Sequence, residues 1–211
     1  MLMSTPTKET QMTPVSRRTI LAGLAASVVT PSIFAAENGI HPHALRWKDR
    51  AMTDPKEIEY TLRKARVGSF AFVDGDEPYV IPWTYGFEFK DGKLKIYVHC
   101  ALKEGRKREI LKKNNKVAFD IYCDLSSFTS DKDPGTSGWS YRSLTGVGRM
   151  RQLEGAEKVH GLQRVFENQA GHVPATVDEK AAAMVDVLCL DVEVYCGKKA
   201  NKKECPLPEI K

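Results

Sequence analysis

The sequence of 211 residues predicts a mainly β fold with a few helices, in which six mostly antiparallel strands form a closed or nearly closed barrel. Six segments alternate apolar and polar residues with the period of two that is typical of strands. Aspartate and glycine separate the early segments, as they do in tight hairpin turns. Closure is expected because a closed barrel leaves no exposed strand edge.

The predicted strands follow one another from the first third of the chain almost to its end. Turn residues at Asp74-Gly75-Asp76 and at Asp91-Gly92 lie between the first three strands. These three strands are therefore expected to form an antiparallel meander. The six predicted strands cover residues 68–74, 79–89, 93–100, 116–123, 140–153 and 186–196.

Helices are predicted where apolar residues recur every three or four positions. In the first helix, Thr53 or Asp54 is the expected cap and Pro55 lies in the first turn. The apolar side chains that share one face of this helix are Ile58, Leu62 and Ala65. Further helices are expected at residues 104–114, 154–169 and 178–184.

The N-terminus has the pattern of an export signal. Arg17 and Arg18 directly precede an uncharged run over residues 19–36, as in signals of the twin-arginine type. A retained membrane anchor is the alternative, but a spanning helix needs about 20 predominantly apolar residues, and Pro31 tends to end a helix. We expect cleavage near Ala35, no stable membrane span afterwards, and a periplasmic or otherwise exported protein.

Composition and charge limit the class of protein. The chain is 42% hydrophobic and 28% charged, as ordinary globular domains are. The predicted organisation is a signal peptide at residues 1–36, an extension at 37–52, the barrel domain at 53–196 and a basic tail at 197–211. The net charge is +5, and only the tail is locally basic. A nucleic-acid partner is not expected, because such proteins concentrate basic residues on one face.

The spacing of cysteine and histidine predicts no metal site. His41 and His43 have no cysteine or carboxylate at ligand spacing beside them, and no two cysteines form a CxxC pair. In an oxidising compartment Cys196 and Cys205 could close a short loop, or all the thiols could stay isolated. The five cysteines are Cys100, Cys123, Cys189, Cys196 and Cys205.

The start of the predicted second helix is a candidate anion site, because Gly105, Arg106 and Lys107 stand together there. Amides in the first turn of a helix lack partners within the helix, and the helix dipole favours a negative charge. Arginine can bind a phosphate through two parallel N–H bonds, lysine binds it as a point charge, and glycine permits close approach of the backbone. A solvated basic helix face is the alternative explanation.

Three motifs, taken in order, carry a resemblance to a known family. They are Pro82-x-x-Tyr85-Gly86, then His99-x-Ala101 followed by Gly105-Arg106-Lys107, then Tyr141-x-Ser143 followed by Gly148-Arg149. Over roughly residues 46–195 the chain resembles the pyridoxamine-phosphate-oxidase-like FMN-binding split barrels, and within them the nitroimidazole-resistance branch.

The resemblance implies a set of contacts to FMN. The phosphate would bind at the start of the second helix, and the strand from Pro82 to Tyr85 would run along the flavin ring and bond it mainly through backbone atoms. Barrel packing is the alternative role for the side chains of Trp83 and Tyr85. The implied cofactor-binding residues are Pro82, Trp83, Thr84, Tyr85, His99, Cys100, Ala101, Gly105, Arg106, Lys107, Tyr141, Arg142 and Ser143.

By the same resemblance, His99 corresponds to an active-site histidine beside the flavin. A neutral imidazole could donate to a substrate oxyanion or relay a proton; the alternative is a strand histidine with a satisfied hydrogen bond. Cys100 stands where a serine is common in relatives. Tyr141, Arg142 and Ser143 match a segment that in such barrels reaches the cofactor, often across a dimer interface. The resemblance therefore implies a homodimer with the cofactor at the interface.

The expected function is an FMN-dependent oxidoreductase, in which reduced flavin reduces a small electron acceptor such as a nitro-aromatic compound. No GxGxxG fingerprint follows a strand, so no dedicated nicotinamide domain is expected. Haem binding or haem degradation, which some split barrels perform, is one alternative. A non-catalytic flavin-binding module is another.

Overall fold

The computed structural model describes residues 45–172 and 174–200. The predicted signal peptide, residues 37–44 of the predicted extension, and residues 201–211 with Cys205 lie outside the described residues. Within the described part, no helix is both long enough and apolar enough to cross a membrane.

The described residues form eight strands, four α-helices and two short 3-10 helices. The strands are β1 (Ala51–Met52), β2 (Val67–Asp74), β3 (Glu77–Thr84), β4 (Gly86–Lys90), β5 (Lys93–Cys100), β6 (Lys116–Phe128), β7 (Gly138–Gln152) and β8 (Asp186–Ala200). The helices are α1 (Pro55–Ala65), α2 (Arg106–Lys113), α3 (Gly155–Ala170) and α4 (Glu179–Ala183), with 3-10 helices at Lys48–Arg50 and Pro134–Thr136.

The strands form one sheet in the order β3-β2-β6-β7-β8-β5-β4, and β1 pairs with β8. Every paired couple of strands is antiparallel, so the predicted fold class, mainly β with helices, is confirmed. Irregular pairing in β6 and β7 bends these long strands, as β-bulges do. Within the described residues β3 and β4 end the order and do not pair with each other, so the barrel is split between them.

The expected number of six strands is wrong, because the structure has eight. One additional strand is the two-residue β1. The other arises where the predicted strand 79–89 divides at Tyr85 into β3 and β4. The Tyr85 carbonyl accepts bonds from Asn168 Nδ2 at 2.9 Å and Gln169 Nε2 at 3.2 Å, both on α3. A helix therefore takes the place of a neighbouring strand at this point.

The expected three-strand meander is also corrected. β3 pairs with β2, whereas β4 pairs with β5, and the two halves of the predicted strand lie at opposite ends of the sheet order. The chain crosses between these edges at Gly86, where a Cβ atom would lie 2.2 Å from the backbone carbon of Arg164. The close passage of α3 thus requires glycine at this crossing.

Two apolar clusters hold the fold together. The first fills the barrel interior and receives Ile58 and Leu62 from α1, whose cap Asp54 accepts from the Lys56 amide at 2.9 Å. This confirms the first predicted helix. The second cluster lies between α3 and the opposite face of β5 and β8, and includes Tyr97, Leu162, Val165 and Cys189. The two clusters thus place α1 and α3 on opposite faces of β5 and β8.

The bounds of the barrel differ slightly from the predicted 53–196. β1 begins at Ala51, and β8 continues to Ala200, so the first four residues assigned to the basic tail belong to the sheet. Similarly, α2 begins at Arg106 rather than Glu104. Glu104 instead pairs from outside the helix with Lys112, at 2.9 Å.

Candidate functional site

Three elements meet where β5 ends and α2 begins. The indole Nε1 of Trp83 on β3 donates to the backbone carbonyl of His99 on β5 at 2.7 Å. From α2, the Nζ atom of Lys107 lies 4.1 Å from the centroid of the Trp83 ring. Trp83 thus links the edge strand β3 to β5. Its ring also contacts Lys107 of α2, just as the ring of Tyr79 on β3 contacts Arg106.

The imidazole of His99 is half-buried, and one of its two ring nitrogens is buried without a partner among the described residues. Its Nδ1 atom has no hydrogen-bond partner in the described part of the chain. Burial lowers the pKa of His99 below its usual value, and the nearby charge of Lys107 lowers it further. The ring is therefore neutral at neutral pH, and Nδ1 is a buried polar atom without a hydrogen bond to any residue that the structure describes.

The first turn of α2 has no side-chain cap. Gly105 is the N-cap residue, and its carbonyl accepts from the amides of Arg108 and Glu109 at 2.9 and 3.2 Å. A Cβ atom at Gly105 would meet nothing within 4 Å, and its φ of −176° is extended backbone that any residue adopts. The fold itself does not require glycine here, because the space where a side chain would stand is open.

The two cations predicted to bind a phosphate have different surroundings. Arg106 is held by the turn between β2 and β3, through Asp74 Oδ2 and Glu77 Oε2, both at 3.0 Å, and its guanidinium lies 4.6 Å from the Tyr79 ring. Lys107 has no carboxylate within 4.0 Å among the residues that the structure describes. Lys107 is therefore the cation left without an acidic partner at this helix start.

A polar cluster around the buried Asp186, beside Cys100, was not predicted. Arg108 on α2 forms an ion pair with Asp186 and also donates to the Leu102 carbonyl at 2.7 Å. Asp186, which is 5% exposed, accepts a second bond from Gln152 Nε2 at 3.2 Å. This cluster lines a cavity of about 150 Å³ and fastens α2 to β7 and β8. Arg108 and Asp186 are 78 residues apart, so no local pattern relates them.

The other predicted residues near this place differ in exposure. Pro82 is exposed, Thr84 is half-buried, and Ala101 is exposed just after β5. Tyr85 is fully buried in the barrel core, and its hydroxyl donates to the Leu62 carbonyl at 2.6 Å. Cys100 is buried, and that burial raises the pKa of its thiol. The side chain of Tyr85 thus has a structural contact of its own.

The segment Tyr141, Arg142 and Ser143 lies far from this group within one chain. Gln152 of β7 pairs with Leu188 of β8, and the neighbouring Val187 pairs with His99 of β5, so Gln152 marks the end of β7 near His99. Ser143 is nine residues from Gln152 along β7, which is a distance of about 30 Å. The structure of a single chain therefore does not bring this segment to His99.

Arg142 occupies a buried network at its own end of the barrel. Its side chain is 2% exposed, pairs with Asp124 at 2.5 Å, and lies 5.4 Å from the Tyr60 ring. The Tyr60 hydroxyl donates to the other oxygen of Asp124 at 3.2 Å. These contacts give Arg142 a packing role within the chain.

Comparison with known proteins agrees with this architecture. Residues 54–199 match the model of the family described as pyridoxamine 5'-phosphate oxidase. No curated protein matches the chain in sequence.

Solved structures with low sequence identity share the fold. A candidate 5-nitroimidazole antibiotic resistance protein from Bacteroides thetaiotaomicron is 23% identical, with a TM-score of 0.56 over 71% of this chain and 86% of that one. A FAD and heme binding protein from Mycobacterium smegmatis is 16% identical, with a TM-score of 0.59 over 74% and 76%. The flavocytochrome Anf3 from Azotobacter vinelandii is 16% identical, with a TM-score of 0.59 over 80% and 77%. With most of its length matched by the family model and folded as a split barrel, this chain belongs to the pyridoxamine 5'-phosphate oxidase family of flavin-binding proteins.

Proposed function

We propose that the protein is an FMN-dependent oxidoreductase that reduces a small electron acceptor. The observation that carries this proposal is the uncapped start of α2, with Lys107 unpaired by any described carboxylate and the buried, unpartnered Nδ1 of His99 close by. A phosphate at the helix start and a ring system near His99 would satisfy both features.

The residues fit the phosphate of FMN better than a neutral group. The first amides of a helix and its dipole favour an anion, and Lys107 adds a positive charge without an acidic competitor. No atom of the described residues stands within 4 Å of the position that a Cβ of Gly105 would take, so the chain does not crowd a ligand on that side. Arg106 would join such a site only by leaving Asp74 and Glu77. We therefore assign Lys107 and the helix amides as the principal phosphate contacts.

His99 is the proposed catalytic residue. When bound, the flavin would supply the transfer of hydride or electrons to the acceptor. His99, kept neutral by burial, would hydrogen-bond the acceptor through Nδ1 and hold or release a proton there. Trp83 positions His99 through its bond to the His99 carbonyl.

We also propose a homodimer with the cofactor at the interface. A row of small apolar residues crosses five neighbouring strands on the outside of the barrel, with each member directly opposite the next in register. Residues in such a row share one face of a sheet. The row consists of Val80, Ala71, Ala118, Val147 and Val194. A second subunit would cover it and could bring its own Tyr141 to Ser143 segment towards the flavin.

Export and substrate class belong to the same proposal. The pair Arg17 and Arg18 before an uncharged run supports export by a twin-arginine route to the periplasm. A nitro-aromatic compound is the proposed acceptor, supported by the fold shared with the Bacteroides thetaiotaomicron protein.

The test is to purify the protein from cells that express the whole chain, signal included, and to identify the bound chromophore by absorbance and mass. We expect FMN, with turnover of a nitro-aromatic acceptor when the flavin is reduced. A colourless protein that reconstitutes with neither FMN nor FAD would refute the proposal. Bound FMN without any turnover would favour the non-catalytic flavin module instead.

Haem is the second candidate, because two of the structures that share the fold are described as heme binding or as a flavocytochrome. A Soret band with haem recovered by mass would favour it. The described chain offers only exposed or half-exposed histidines beyond His99, namely His160 and His172, which is why FMN is preferred.

A further inference from the structure

A cleft of about 540 Å³ lies along β4. Every residue from Phe87 to Asp91 lines it, and consecutive residues of a strand point to opposite faces, so the cleft takes in both faces of β4. Lys93 and Lys95 of β5 also line it. The edge of β4 away from β5 is the edge left open by the split in the barrel. Its volume lies within the range of about 300–1,000 Å³ typical of small-molecule sites.

Two aromatic rings form the apolar part of this cleft. Phe87 and Phe89 are half-buried and stand opposite Ile96 and Leu94 of β5, on the face of β4 that packs on the barrel core. The Phe89 ring also contacts the edge of Tyr195, with centroids 6.1 Å apart. Both rings are thus supported from behind and present apolar surface towards the cleft.

Arginines from two helices flank the cleft. The guanidinium of Arg63 on α1 lies 5.3 Å from the Phe87 ring centroid, and Glu59 accepts from its Nε and Nη2 atoms at 3.1 and 2.6 Å. Arg164 on α3 is held by Glu167 at 2.7 Å. Each guanidinium is fixed by one carboxylate and keeps further N–H donors for an anion.

The remaining charge of the cleft is net positive, because three lysines stand against the single carboxylate of Asp91. Lys90, Lys93 and Lys95 line it, and none has a carboxylate within 4.0 Å in the described part of the chain. The carboxylate of Glu88 is already used, since it accepts from the Tyr97 hydroxyl at 2.6 Å and bonds His160 Nε2 at 2.8 Å. Lysines on a strand edge also discourage pairing with another strand, but that role does not explain an arginine held over an aromatic ring.

We propose that this cleft binds a small aromatic carboxylate. Its ring lies against Phe87 and Phe89, and its carboxylate accepts hydrogen bonds from the guanidinium of Arg63. Lys95, on the opposite face of the sheet from both rings, adds a longer-range positive charge. The planar guanidinium matches a carboxylate in shape, and an arginine already fixed by Glu59 loses little freedom on binding.

This site is separate from the proposed flavin site. On β5, Lys95 lies four residues from His99 and the position opposite Phe87 lies three residues from it, which are separations of about 13 and 10 Å. Binding in the cleft therefore requires neither the proposed function nor a bound flavin, and the two proposals can fail independently.

The test is calorimetric titration of the purified full-length protein with three probes. These are naphthalene-2-carboxylate, its neutral amide, and acetate. We expect the carboxylate to bind, and the amide and acetate to bind at least about tenfold more weakly, because each lacks one of the two interactions. Equal affinity for the carboxylate and the amide, or no detectable binding of the carboxylate, would overturn the proposal.

Two variants locate the binding. Arg63→Gln should weaken the carboxylate about five- to tenfold, whereas Lys64→Gln, the exposed neighbour that does not line the cleft, should leave it unchanged. Lys95→Gln gives a second change that leaves the Glu59–Arg63 pair intact. If both Arg63→Gln and Lys95→Gln bind the carboxylate with unchanged affinity, or if the carboxylate displaces bound flavin, then the carboxylate binds outside this cleft.

Discussion

Arg106 and Lys107 are neighbours in sequence, yet only one of them meets acidic side chains. Arg106 reaches back to Asp74 and Glu77 on the turn between β2 and β3, while Lys107 lies over Trp83. Two adjacent helix residues point about 100° apart around the helix axis. Arg106 therefore ties α2 to the turn, and Lys107 is the residue expected to bind the phosphate.

Lys107→Ala should weaken FMN binding about tenfold, because it removes a charge-assisted contact. Lys113→Ala is the matched control, since Lys113 is an exposed lysine in the last turn of the same helix. Fluorescence quenching of FMN on titration with each variant measures the affinity. An equal effect of the two substitutions would indicate only general charge attraction.

His99 should make stability depend on pH in a defined direction. Burial places the pKa of folded His99 below the unfolded value of 6.5, so on acidification the unfolded chain takes up the proton first. The stability that His99 contributes is complete above about pH 6.5 and is lost as the pH falls below it. Melting temperatures between pH 7 and 5 should therefore fall less in His99→Gln. An imidazole NMR titration of His99 with a midpoint above 6.5 would contradict the assignment.

At the scale of elements, α2 is joined to the sheet on both sides. Arg106 ties its first turn to the turn between β2 and β3, and Arg108 ties it to β7 and β8 through Asp186 and Gln152. Since the first contact is exposed and the second is buried, the second is expected to fix the helix in place. A bound phosphate could therefore replace the carboxylates that pair with Arg106, whereas the contact of Arg108 would stay in place.

The double substitution Asp74→Asn with Glu77→Gln should free Arg106 and strengthen FMN binding a few-fold. It should cost little stability, because exposed ion pairs contribute about 0–1 kcal/mol. Asp76→Asn, in the same turn and without an ion pair among the described residues, is the control. Titration with FMN at two salt concentrations measures the effect. Weaker binding in the double variant would mean that the turn itself supports the cofactor.

The junction between β3 and β4 depends on Tyr85. Tyr85→Phe removes the donor to the Leu62 carbonyl and should destabilise the protein by about 1 kcal/mol. Tyr122→Phe is the control, because the Tyr122 side chain is 48% exposed. Urea unfolding of both variants measures the difference. Equal stabilities would show that the buried hydroxyl contributes nothing to holding α1 against this crossing.

At the scale of the whole molecule, the barrel is an open sheet with two unlike edges and one apolar outer row. One edge, β4, lines the proposed carboxylate cleft, and the other, β3, carries Trp83. The outer row from Val80 to Val194 remains accessible within one chain. Apolar faces of this kind commonly mark contacts between subunits.

Ala118→Arg should disrupt the proposed homodimer, since Ala118 stands in the middle of the outer row and an arginine there would be buried without a partner. Met184→Arg is the control, because Met184 is 71% exposed and lies away from the row. Light scattering of both variants gives the mass in solution. A wild-type protein that is monomeric at micromolar concentration would refute the dimer, and with it the approach of the Tyr141 to Ser143 segment.

The reliable sequence predictions are those that depend on neighbouring residues. The turns at Gly75 and at Asp91-Gly92 are confirmed, and all three residues have the positive φ angles that such turns need. The cap at Asp54 is confirmed for the same local reason. The division at Tyr85 was missed because its cause, Asn168 and Gln169, lies more than 80 residues away.

The sequence by itself determined the periodic strands, the tight turns, the cap at Asp54 and the collection of basic residues at the start of α2, because each depends on residues close together in the chain. Only the tertiary structure decided that Arg106 is paired and Lys107 is not, that His99 Nδ1 is buried without a partner, and that β4 has a free edge. These outcomes depend on which distant segments pack together, and no local pattern of residues specifies that packing.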